Sequence, residues 1–136
     1  MNPISVLLID DNPTFLRIAT RFLQEHDDVV VVGAVGGSEE ALAQAQALQP
    51  QVVLLELGIS DLTGLETIPS LRSLMPEVGI IAMTLMDTNG YRSAALAAGA
   101  SEFIPKATLN TDLLPAIRRV AQGDRPRQRP ADRTAT

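Results

Sequence analysis

The sequence predicts an α/β fold, a doubly wound parallel sheet of five strands in the order 2-1-3-4-5, and three observations predict it. Short aliphatic runs alternate five times with stretches of helical periodicity, the pattern of successive βα units. The central run, Val52-Val53-Leu54-Leu55, has no polar face, as a strand covered on both sides requires. Four runs end on a polar residue: Ile9 before Asp10-Asp11, Leu55 before Glu56, Met83 before Thr84, and Phe103-Ile104 through Pro105 before Lys106. Right-handed crossovers in that strand order gather these ends along one edge, with the ligand position beside strands one and three.

Each element has its own justification. After the first run, Asn12 caps a helix whose first position is Pro13, where the missing N–H costs nothing. Phe15, Ile18, Ala19, Phe22 and Leu23 recur at helical spacing through Gln24. Val29 to Val35 is the second strand, Gly36-Gly37 the turn, and Ser38 with Glu39-Glu40 opens a second helix with acids at its positive end. Residues 51–57 form the third strand. A third helix runs from about Gly64 to Leu74, with Leu65, Ile68, Leu71, Leu74 and Met75 on one side and Pro69 expected to distort or shorten its first part.

The fourth strand is Gly79 to Thr84. A fourth helix follows Asn89 and ends at Gly99, a left-handed cap. The fifth strand, residues 102–104, adjoins Pro105, whose lack of an N–H suits a sheet edge. A last helix is expected to begin near Thr111 and stop before Gly123, with Pro115 making its first turn irregular.

Bulk properties narrow the function. With 136 residues and 46% apolar content, the chain is large enough for one packed domain over residues 1–122, followed by a flexible Arg/Pro-rich tail or linker over 123–136. Cysteine is absent, which excludes disulfides and thiolate metal sites and fits a reducing compartment. No apolar stretch is long enough to span a membrane and no signal peptide is visible, so the expected location is the cytoplasm. Net charge is −5; Arg125, Arg127, Arg129 and Arg133 against Asp124 and Asp132 give the tail +2, which leaves −7 on residues 1–122. So acidic a body repels a nucleic-acid backbone.

Asp10, Asp11 and Glu56, at the ends of adjacent strands, are the types that hold a hard divalent cation such as Mg2+. Thr84 adds a hydroxyl donor and Lys106 a point charge for an anion. Taken singly, the acids are ordinary turn, cap and strand-end residues and Thr84 an ordinary β-branched strand residue. Lys106 stands out because it is the single lysine against ten arginines.

With order, spacing and residue type combined, residues 4–122 closely resemble the receiver family of two-component response regulators, a flavodoxin-like fold. The texture of Val52-Val53-Leu54-Leu55, Gly64-Leu65-Glu66-Thr67 and Ala97-Ala98-Gly99-Ala100 is similar to LuxR-type members. The resemblance implies that Asp10 and Asp11 match the acidic pair that holds Mg2+, and that Gly58 supplies a backbone carbonyl to it. It implies further that Thr84 is the switch hydroxyl, Lys106 the phosphoryl-pairing lysine and Phe103 the aromatic switch residue.

Glu56 departs from that pattern, standing where the family has its phosphoacceptor aspartate. The family's reaction is attack by that carboxylate on phosphorus, and one extra methylene displaces the attacking oxygen by about 1.5 Å. Misplacement on that scale costs orders of magnitude in an in-line transfer. Leu85, after Thr84, is expected to narrow the entrance; Ser60 and Ala107 replace prolines usual in the family. The expectation is an atypical receiver with impaired phosphotransfer, weak Mg2+ binding, and Glu56 reaching toward Lys106 in imitation of a phosphorylated site.

Expected partners are a histidine kinase or an output protein, with weak homodimerisation through the last helices and edge strand. Residues 1–122 are expected to contact neither nucleic acid nor membrane. Two alternatives stand beside this reading. One is a small metal-dependent enzyme on the same fold, although no Gly-rich turn follows the first strand and the single His26 lies away from the ligand edge. The other is a pure interaction module with vestigial acids.

Overall fold

The computed structural model describes residues 2–58, 64–85 and 89–123. The expected tail beyond Gly123, and Ser60, lie outside the described residues. Five strands, β1 (Ile4–Ile9), β2 (Val29–Val35), β3 (Val52–Glu56), β4 (Gly79–Thr84) and β5 (Glu102–Pro105), form one sheet in the order β2-β1-β3-β4-β5. All four pairings are parallel. Helices α1 (Pro13–Gln24), α2 (Ser38–Leu48), α3 (Gly64–Leu74), α4 (Asn89–Ala98) and α5 (Leu109–Ala121) alternate with the strands.

The two-residue period of the strands divides the core into two layers. Leu7, Ile9, Val53, Leu55, Ile80, Ala82 and Phe103 face α2, α3 and α4, packing on Ala41, Ala45, Ile68, Leu71 and Ala95. Val6, Leu8, Val52, Leu54, Ile81, Met83 and Ile104 face α1 and α5, against Ala19, Leu23, Leu113, Ile117 and Val120. Every residue of β3 and β4 is buried. The missing polar face of the third run thus reflects helices on both sides.

Local chemistry sets the boundaries. The Asn12 side chain accepts from the Thr14 and Phe15 amides at 3.0 and 3.2 Å, closing the N-terminus of α1. Ser38 opens α2 as expected, with Gly37 at the cap position before it. The Ser38 hydroxyl is buried and meets that of Thr67 at 2.9 Å, joining α2 to α3. Gly99, at φ +120°, takes the left-handed turn after α4. Two contacts admit glycine alone: a β-carbon on Gly79 would overlap Val120 of α5, and one on Gly64 would lie 2.6 Å from the Glu56 carbonyl oxygen and the Leu57 Cα. Gly64 thereby sets the start of α3 directly against the end of β3.

Three expectations about the helices need correction. The last helix starts at Leu109 rather than near Thr111, because a 3-10 turn over Lys106–Thr108 leads straight into it. Pro115 therefore falls in the interior of α5, not in its first turn. Pro69 likewise sits inside an unbroken α3 without shortening it. Each proline removes one amide donor from a helix, and each is exposed, so water reaches the freed carbonyls. The third strand is shorter than the expected 51–57, yet Gln51 and Leu57 each still donate one cross-strand hydrogen bond, to Ser5 and Met83.

Candidate functional site

The chain delivers three ionisable side chains to one edge of the sheet. Asp10 follows β1 and its amide still donates to the Val35 carbonyl at 3.0 Å, so the residue is fixed before the chain turns into α1. Glu56 ends β3. Lys106 opens the 3-10 turn that follows β5. Asp10 is 1% exposed and Glu56 7%, and the Lys106 side chain is 9% exposed.

The Lys106 Nζ lies 2.6 Å from Asp10 Oδ2 and 2.8 Å from Glu56 Oε1. The second oxygen of each carboxylate accepts a backbone N–H: Asn12 donates to Asp10 Oδ1 at 2.9 Å and Gly58 to Glu56 Oε2 at 3.0 Å. All four carboxylate oxygens are thus engaged. The contact to Asp10 is a hydrogen bond, whereas the one to Glu56 has ion-pair distance without hydrogen-bond geometry, leaving buried Oε1 with charge attraction only. The ammonium also lies 4.1 Å from the centroid of the Phe15 ring, in cation–π range. Burial pulls the lysine pKa down, but the contacts with Asp10 and Glu56 and their negative charges outweigh it, holding the pKa above the ordinary lysine value.

The other expected site residues are placed as follows. Thr84 ends β4 and is buried. Phe103 is buried too, with the Arg92 guanidinium 5.0 Å from its ring centroid. Leu85, expected to narrow the entrance, is 81% exposed. Of the expected set, Asp10 and Glu56 meet at the sheet edge, Gly58 holds a Glu56 oxygen through its amide at 3.0 Å, and Asp11 is exposed. Among the described residues no three His, Asp or Glu side chains converge closely enough to hold a metal ion. The lysine ammonium takes up the inward oxygens of Asp10 and Glu56. In this arrangement a divalent ion at Asp10 and Glu56 would share their oxygens with the ammonium.

Two contributors escaped the sequence reading. Phe15 was expected only as a core position of the first helix; an aromatic three residues after a helix cap, close to an acidic pair, was the available signal. Asn12 was expected to cap the first helix, which its side-chain oxygen does, yet its backbone N–H also fixes Asp10.

Residues 6–118 match the family described as response regulator receiver domain. The response regulator GacA of Pseudomonas viridiflava is 32% identical over 122 residues, 90% of this chain and 57% of that protein. The chain therefore spans just over half the length of the curated relatives it matches. A solved LuxR-family two-component response regulator from Aurantimonas sp. SI85-9A1 superposes with a TM-score of 0.86 over 99% of this chain and 100% of that one; at 22% identity this is a likeness of fold. A response regulator protein from Burkholderia pseudomallei, solved with a phosphorylated aspartic acid, calcium ion and citrate, is 26% identical. Its TM-score is 0.78, covering 88% of this chain and 69% of that one. These are signalling proteins, and the metal-dependent enzyme alternative finds no support among them. Among the described residues no helix is long and apolar enough to cross a membrane.

Proposed function

The chain belongs to the response regulator receiver domain family, and from that premise we propose that it acts in two-component signalling as an atypical receiver whose phosphotransfer is impaired by Glu56. The observation that carries this reading is the 2.8 Å approach of Glu56 to Lys106. Phosphoryl transfer to an acceptor carboxylate forms an O–P bond as the donor's bond to phosphorus breaks, P–N in a phosphohistidine or P–O in acetyl phosphate, with the attacking and leaving atoms in line. A carboxylate already reaching the lysine stands in the space that the incoming phosphoryl group needs. Its Oε2 is also committed to the Gly58 amide.

The pair imitates part of a phosphorylated site, since Lys106 has an anion at hand without any donor. Glu supplies one negative charge and a phosphoryl group nearly two, so the bias toward an active-like arrangement is modest. Mg2+ binding is weak because the ammonium competes for the same oxygens. The partners are a histidine kinase or output protein, together with a weak two-fold homodimer through α4, β5 and α5, where Leu96 is exposed. Residues 1–122 act without contact to nucleic acid.

Intact-mass measurement after exposure to acetyl phosphate and Mg2+ tests the reading. The native chain is expected to stay unlabelled and Glu56→Asp to gain one phosphoryl group. An adduct on native Glu56 would overturn the proposal. No adduct on the aspartate variant would refute the assignment of the block to side-chain length.

A further inference from the structure

We propose that Lys106 is a tethered internal cation that occupies the acid pocket in place of a divalent metal, and that Phe15 pins it there. The inference rests on the receiver reading above but concerns a different property, the identity of the cation that the pocket holds. Three observations carry it. The ammonium contacts one oxygen of each buried acid, at 2.6 and 2.8 Å, and backbone amides take the other two oxygens. Every carboxylate oxygen of Asp10 and Glu56 already has a cationic or N–H contact, so a metal at either acid would compete with them. The Phe15 ring closes a further side at 4.1 Å, offering the negative face of its π-system to the same charge.

The chemistry of the pocket sets the consequence. Two buried carboxylates without a cation repel each other and must be neutralised by a proton, an ammonium or a metal. Lys106 meets that need at no cost in bound ligand, and its stem enters from the chain that follows β5. A hard divalent ion would have to expel the ammonium from two carboxylates and from the aromatic face together. Removing the lysine charge therefore leaves Asp10 and Glu56 to be neutralised by a divalent cation, with water completing its shell. Magnesium dependence is masked in this chain by its single lysine.

Mn2+ is the probe, read by water-proton relaxation on the full 136-residue chain, with Mg2+ as competitor and no phosphodonor present. Lys106→Met is expected to bind one Mn2+ on the order of tenfold or more tighter than the native protein, and to melt at a higher temperature when Mn2+ is added. Phe15→Leu keeps the lysine but weakens its hold, and is expected to gain about two- to fivefold in Mn2+ affinity. This second variant carries the test if the first does not fold. Adding Glu56→Gln to Lys106→Met is expected to abolish the gain.

Equal Mn2+ binding by the native protein and Lys106→Met would overturn the proposal. A folded Lys106→Met that takes up no Mn2+ would also overturn it, and an unchanged Phe15→Leu would remove the pinning role. Because no phosphodonor is present, these results stand apart from the labelling experiment: an adduct on Glu56 sinks the impaired-transfer reading alone.

Discussion

Replacing Glu56 by aspartate changes the reach of one carboxylate and nothing in its charge, so it isolates the contact with Lys106. The native separation is 2.8 Å. Shortening the side chain by one carbon–carbon bond withdraws the oxygen by up to about 1.5 Å. At an effective dielectric of about 20, a pair at 2.8 Å is attracted by roughly 6 kcal/mol and one near 4.3 Å by roughly 4 kcal/mol, a loss of about 2 kcal/mol. Both forms keep a buried carboxylate, so its desolvation cost cancels in the comparison. The hydrogen bond from the Gly58 amide, worth about 1 kcal/mol, either lengthens or is re-formed by the shorter side chain. Glu56→Asp is therefore expected to unfold about 2 kcal/mol more easily in urea, with an unchanged m-value and a Tm roughly 8 °C lower. A variant as stable as the native protein would show that the Lys106–Glu56 contact contributes nothing, and the lysine lock would fail with it.

Two further outcomes follow from the geometry. The lysine pKa is raised in the folded state, so its stabilisation is fully present below the unfolded lysine value and is lost only as pH climbs through the higher folded value. Urea titrations are thus expected to show native stability falling at alkaline pH beyond the ordinary lysine range. Lys106→Met should lack that fall and be about 3–5 kcal/mol less stable at pH 7, where its loss leaves two acids facing each other; an alkaline fall of equal size in both proteins would refute this. Gly64→Ala, which ordinarily favours a helix by about 1 kcal/mol, is expected instead to destabilise by about 1–3 kcal/mol, because the new methyl would meet backbone at 2.6 Å. A neutral result in the same titration would mean that α3 is free to move away from β3.

Much of this was legible in the residues because strand order and strand-end chemistry are local signals with global consequences. The aliphatic runs ending at Ile9, Leu55 and Met83 fixed which residues meet at one edge, where Glu56 lies 2.8 Å from Lys106. The Phe15–Lys106 contact was not legible, since it depends on how α1 leans across the edge rather than on any spacing within α1. The start of α5 was misplaced because Pro115 suggested a helix beginning just before it. The backbone instead tightened into a 3-10 turn at Lys106–Thr108 and carried the proline in an exposed interior position. Leu85 was judged by its size, but its 81% exposure follows from being the first residue past the end of β4. A sequence gives types and order, and the lysine's arrival between Asp10 and Glu56 is a matter of ångströms.

The ion pair between Lys106 and Asp10 spans 96 positions of chain. Its two halves lie just after β1 and just after β5, with β3 and β4 between those strands in the sheet. The lysine reaches the acids only after those strands have paired in register and the last crossover has closed. A contact at that sequence separation forms only once the intervening strands are in place, which puts it late in assembly. A contact made after the rate-limiting step leaves the folding rate alone and governs how long the finished molecule lasts. The buried triad thus acts as a clasp on the native state, setting the lifetime of the domain more than its speed of assembly.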